Sequence, residues 1–248
     1  MKNMNEKSIV EDYNRNFDEE EKWFIFMNDG FCPLDENDYP IDFNDIVLSE
    51  KYHLWKYQVY LYKVLLETID IFHHNNSSTD KVLLDIACGR GGGLSFYKDY
   101  YKFKKLIGID LNPNHINFAR NHLNNIDLFT SSSINTPVES SSIDIATCVE
   151  ASSYFNTIDF IEELNRVIKT GGIYVRASRD SEDEKLLIDN GFEKINCLSI
   201  QKNTRIACAI GKWRFLEKSL KVASILSSDE HFYMDPNCSY NITSFKKM

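Results

Sequence analysis

Apolar and polar positions along the chain alternate between a helical and an extended period. Between residues 49 and 72, Leu54, Tyr57, Leu61, Leu65 and Ile69 recur at helical spacing, which predicts one long helix, closed by the Asn75-Asn76-Ser77-Ser78 break. The continuous apolar run that opens at Val82 predicts a strand buried on both faces, and Lys105-Leu106-Ile107-Gly108-Ile109-Asp110 predicts a second. Further strands are expected at 128–129, 173–177, 192–200 and 240–245. Helical patterns fall between them at 94–101, 114–123, 157–168 and 183–189, with Gly191 ending the last, and at 202–226. Strands alternating with helices predict an α/β fold with a mostly parallel sheet and helices on both faces.

The first strand carries the most chemistry. It ends on Asp85 and passes through Ala87 and Cys88 into Gly89-Arg90-Gly91-Gly92-Gly93, a turn that lets backbone N–H groups approach a ligand. The second ends on Asp110, about 25 residues on, near the spacing of about 20 at which an acid grips a ribose. A tight turn alone would need only the glycines, whereas the second acid points to an adenosine-bearing ligand. A dinucleotide would set its pyrophosphate against the turn. Asp85 repels that group and suits a cationic amine. S-adenosylmethionine, with its ammonium, carboxylate, sulfonium and adenosine, fits the pattern better.

The chain resembles class I S-adenosylmethionine-dependent methyltransferases from about residue 80 onward. Asp85 to Gly93 is similar to their first motif and Asp110-Leu111-Asn112 to the second. The stretch Ser142 to Glu150 resembles the fourth strand, and Leu164 to Gly172 the helix and Gly-Gly turn before the fifth. Gly89 to Gly93 with Glu150-Ala151-Ser152-Ser153-Tyr154 resembles a group that methylates hydroxyls of lipids, polyketides and related metabolites. Met27-Asn28-Asp29-Gly30-Phe31 and Thr204 to Ala209 are loosely similar to it too. The resemblance implies a Rossmann-like, seven-stranded sheet with its last strand antiparallel. It implies residues 1–79 as an N-terminal arm and helical lid, and 80–248 as the cofactor-binding domain.

It also implies roles. Asp85 orders the turn or holds the ammonium through water, and Ala87, Cys88, Gly89 and Gly91 surround the methionine end. Asp110 grips the ribose, Leu111 packs on adenine, and Ser132 and Ser133 line the adenine edge. Glu150 and Ala151 face the methyl group, with Glu150 a positioning group or a base. His231 and Tyr233 are further candidate bases, and Phe26, Tyr57, Gln58 and Ser153 candidate acceptor contacts. Three positions depart from the pattern. Ala87 replaces a glycine, tolerable while φ stays negative; Ser153 replaces a common histidine; Ser131-Ser132-Ser133 replaces a Gly-Asp pair. His115 is expected exposed, and His73 and His74 solvated or at a helix end.

Bulk properties narrow the acceptor. The 248 residues suit one large domain with an N-terminal extension, and 43% apolar content supports a substantial core. The net charge of -9 lacks a dense basic block, which disfavours a nucleic-acid substrate. No apolar run reaches membrane-spanning length, and the polar, acidic start is unlike a signal peptide. The six cysteines are scattered without a C-x-x-C pair, so neither a metal site nor a disulfide framework is expected. Together these predict a reduced, cytoplasmic enzyme methylating a small molecule at O, N or C. The aromatic arm (Tyr13, Phe17, Trp23, Phe24, Phe26, Phe31) favours an enclosed apolar pocket. A protein or peptide methyltransferase would show an open cleft beside Glu150, and a non-catalytic module would bind the cofactor without turnover.

Overall fold

The computed structural model describes residues 6–8, 10–11, 25–41, 48–69, 78–154, 157–179, 183–216 and 239–248. Seven strands form one sheet: β1 (Val82–Ile86), β2 (Lys105–Asp110), β3 (Asp127–Thr130), β4 (Ile143–Val149), β5 (Ile168–Arg179), β6 (Phe192–Ser199) and β7 (Tyr240–Lys247). Their order is β3-β2-β1-β4-β5-β7-β6. The first five run parallel, and β7 lies antiparallel between β5 and β6. The chain order reverses between β1 and β4. That is the switch point at which open α/β sheets receive ligands.

Helices α1 (Lys56–Glu67), α2 (Gly92–Tyr100), α3 (Pro113–His122), α4 (Ile158–Val167), α5 (Asp183–Asp189) and α6 (Gln201–Leu216) surround the sheet. Side chains alternate along β1, and this assigns them to two cores. Leu83 joins the core of α1, α2 and α3, while Leu84 and Ile86 join that of α4 and Phe245. Asp85 therefore projects toward α1 and α2. β6 is the largely exposed edge of the sheet, with the charges of Glu193 and Lys194 near its start.

Three boundaries differ from the pattern-based expectation. The helix expected from 49 begins at Lys56, because Glu50–Tyr52 forms a separate 3-10 turn. That turn swings the Tyr52 ring inward, where its hydroxyl donates to Asp99 Oδ2 at 2.8 Å. α2 begins at Gly92 rather than residue 94, so two glycines belong to its first turn. The Gly171-Gly172 turn lies inside β5. Ile168 leaves the helix fully buried and pairs with Ile143, and the register shift before Ile145 absorbs the glycines. Elsewhere capping follows the sequence: Asn112 and Thr157 accept N–H bonds at the starts of α3 and α4.

Candidate active site

The tip of β1 is built around a buried carboxylate. Asp85 Oδ1 accepts from Thr147 Oγ1 at 2.7 Å, whereas Oδ2 has no hydrogen-bond partner among the described residues. Burial pushes its pKa up to about 7; the Asp110 charge adds to the rise, and the Thr147 bond opposes it. The chain then makes a left-handed turn, with φ of 56° at Ala87, 55° at Gly89 and 81° at Gly91, the N-cap of α2. The expectation of a negative φ at Ala87 is therefore overturned: the turn requires the left-handed region, where a Cβ costs about 1–2 kcal/mol.

At the tip of β2, Asp110 Oδ2 accepts from Gly89 N at 2.8 Å and Oδ1 from Asn112 N at 2.8 Å. One carboxylate thus ties the glycine turn to the cap of α3. His115, expected to be exposed, is buried with Nδ1 3.3 Å from Asp110 Oδ1. Its position in the first turn of α3 aims the ring back at the strand tip. Leu111 is half-buried beside it. Ser132 and Ser133 are partly exposed, and Ser132 Oγ donates to Glu6 Oε1 at 2.5 Å, so a residue of the N-terminal arm reaches this edge. An open cavity of about 500 Å³ adjoins it, lined by Arg120, Phe129, Thr130, Ser131, Asn135 and Thr136 among others.

The tip of β4 carries Glu150 in a strained left-handed conformation, φ 60°. Its carboxylate accepts from Asp29 N through Oε1 at 3.0 Å and Oε2 at 3.1 Å, and from Tyr240 Oη at 2.6 Å. Burial holds its pKa well above the usual carboxylate range, and the neighbouring Asp29 charge raises it further. Cys88, Cys148 and Ala151 pack here as small buried groups, and burial raises both thiols. The thiols therefore stay protonated and unreactive at neutral pH.

A segment from Ile25 to Cys32 crosses the tips of both central strands. A Cβ at Gly89 would lie 3.0 Å from Met27 Sδ, and one at Gly92 would lie 2.7 Å from both Ile25 O and Phe26 Cδ1. Phe31 N donates to Tyr57 O at 2.9 Å and Cys32 N to Asn203 O at 3.2 Å, fastening the segment to α1 and α6. Between Met27 over the β1 turn and Asp29 on Glu150, Asn28 spans the switch point.

Of the candidate acceptor contacts, Phe26 packs among Tyr52, Trp55 and Tyr62. Tyr57 packs with Cys32 and Ala207, and Gln58 is buried on α1. Ser153 is described only as backbone, and His231, Tyr233, His73, His74, Tyr13, Phe17, Trp23 and Phe24 lie outside the described residues. The structure brings Asp85, Cys88, Gly89, Gly91, Asp110 and Glu150 together. It adds Asn28, Asp29, Tyr62, Thr147 and Tyr240, which sequence reasoning did not place in the site. The signal for the first two was the loose resemblance of Met27-Asn28-Asp29-Gly30-Phe31 noted above, which assigned neither a role.

Residues 84–175 match the family described as "Methyltransferase domain". This stretch is similar to methyltransferase domains. The chain is similar to "Probable phthiotriol/phenolphthiotriol dimycocerosates methyltransferase 2" of Mycobacterium ulcerans, 32% identical over 52% of this chain and 54% of that protein. It is also similar to the fatty-acid O-methyltransferase of Mycolicibacterium smegmatis, 29% identical over 61% of this chain and 51% of that one. The chain spans about half the length of these curated relatives. The geranyl diphosphate C-methyltransferase of Streptomyces coelicolor shares the fold, with a TM-score of 0.72 at 17% identity over 96% of this chain and 98% of that one. The matched stretch begins within β1, spans β2 to β4 and ends within β5, and both strand-tip carboxylates fall within it.

Proposed function

We propose that this chain transfers the methyl group of S-adenosylmethionine to a small acceptor with hydrocarbon character. The observation that carries the reading is the pair of adjacent strand tips bearing Asp85 and Asp110 around one left-handed glycine turn. An orphaned buried carboxylate oxygen on Asp85, beside the left-handed turn at Gly89 and Gly91, fits an ammonium. Asp110 would hold the ribose, Leu111 would pack on adenine, and Ser132 and Ser133 would line its edge. The bound cofactor supplies an electrophilic methyl carbon on sulfur. The protein's task is then alignment and exclusion of water, worth roughly 7–11 kcal/mol of barrier for well-oriented pairs. Residues 1–79 serve as cover and 80–248 as the cofactor-binding domain. Within the described part of that cover, Phe26 and Phe31 bury apolar surface over the site.

Glu150 acts in this reading as a positioning group. Both of its oxygens already accept hydrogen bonds, from Asp29 N and Tyr240 Oη, which leaves neither free to take a proton from an acceptor. The named activities of the two curated relatives support an acceptor that is a fatty acid or hydroxylated lipid. Among the described residues, no helix is long and apolar enough to cross a membrane.

Calorimetry with S-adenosylhomocysteine followed by transfer of labelled methyl to fatty acids and hydroxylated lipids tests the reading. The native chain should bind, and Asp110→Ala should weaken binding at least tenfold. Unchanged affinity in Asp110→Ala would reject the ribose assignment. Binding without transfer to any acceptor would make the chain a cofactor-binding module.

A further inference from the structure

Asn28 is 3% exposed, yet neither its Nδ2 nor its Oδ1 makes a hydrogen bond of good geometry among the described residues, with the Tyr62 hydroxyl its one hydrogen-bonding neighbour there. An amide left unsatisfied in a protein interior is costly, and such groups persist where something else satisfies them. Its surroundings are polar. The Tyr62 hydroxyl has Asn28 as a hydrogen-bonding neighbour and also feels the Asp85, Glu150 and Cys88 charges, while the buried Tyr97 hydroxyl feels the Asp85 charge and has Thr147 as its hydrogen-bonding neighbour. Asp85 Oδ2, itself buried and without a described partner, belongs to the same cluster, since its charge reaches both tyrosines. The unsatisfied groups therefore gather under the segment that crosses the β1 and β4 tips, and they offer acceptors and donors together.

We propose that Asn28 is a cofactor-positioning residue that reads the zwitterionic amino-acid head of the ligand. Its Oδ1 would accept from the ammonium that Asp85 attracts, and its Nδ2 would donate to the carboxylate. The backbone is set for this on both sides, by Met27 against the Gly89 turn and by the Asp29 N–H on Glu150. The inference rests on the cofactor reading above, with a contact carried by the N-terminal segment and lying outside the family-matched residues 84–175.

The test compares two ligands that share adenosine and a sulfur but differ in the amino-acid head. Calorimetry should show Asn28→Ala weakening S-adenosylhomocysteine at least tenfold while 5′-methylthioadenosine changes less than twofold. Asp110→Ala should weaken both. Asn28→Leu separates ligand recognition from packing: with an apolar isostere in place of an unpaired amide, the unliganded melting temperature should hold or rise while the same selective loss appears. Equal losses for the two ligands, no loss for either, or a lowered melting temperature in Asn28→Leu would overturn the role of Asn28 and leave the cofactor reading standing. A native chain that binds neither ligand would overturn both.

Discussion

At Ala87 one methyl group sits where the backbone prefers none. The residue holds φ at 56° in a turn whose other left-handed positions are glycines. Placing a Cβ there costs about 1–2 kcal/mol. Replacement by glycine removes that strain but adds about 0.5–1 kcal/mol of unfolded-chain entropy, and the Ala87 methyl also packs on the α4-side core. Ala87→Gly should therefore be neutral or stabilising by up to about 1 kcal/mol, as read from urea unfolding. A clear loss would show that the methyl's packing outweighs the backbone strain. The pair of acids was readable because strand ends, glycines and spacing are local. The conformation of Ala87 and the burial of His115 were not, since both depend on where Asp110 and the turn meet in space.

At the scale of elements, the contact between α1 and α2 depends on Gly93. A Cβ there would lie 2.3 Å from Tyr62 Cε1. The Tyr62 ring has nowhere to retreat: it meets Tyr97 edge-on at 5.6 Å and Phe26 at 6.1 Å, both in the core. Gly93→Ala should cost about 1–3 kcal/mol through overpacking, and at roughly 2–4 °C per kcal/mol the melting temperature should fall by several degrees. A melting curve superimposable on the native one would mean that α2 shifts freely on α1. The order and kind of the elements followed from periodicity, which local burial imposes. The path of residues 25–32 did not. Its fastening runs through Asp29 N to Glu150, 121 positions away, and through Asn203 on α6. Nothing in a local hydrophobic pattern encodes such pairings.

Over the whole molecule, the buried carboxylates set how stability and binding answer to pH. Asp85 is raised to about 7 and Glu150 well above the usual range, each first by burial. A raised carboxylate favours the folded state in its protonated form. The contribution of Asp85 is therefore complete below about pH 4, its unfolded value, and is lost as pH rises through about 7. Glu163 has the opposite sign, held at about 2 by the Arg166 and Thr136 bonds against the cost of burial, so its effect is confined to acid. His122, lowered by burial, also acts against the trend near neutrality, but it is common to native and variant protein. The difference between the native chain and Asp85→Asn isolates the one group. From pH 5 to pH 7 the unliganded native protein should lose stability relative to Asp85→Asn at on the order of 1 kcal/mol per pH unit. An ammonium placed beside Asp85 favours the ionised form, so the binding trend reverses. S-adenosylhomocysteine should bind more tightly as pH rises from 6 to 8 in the native chain, with a flatter profile in Asp85→Asn. Parallel binding profiles would separate Asp85 from the ammonium, while parallel stability profiles would mean that its carboxyl ionises as freely folded as unfolded.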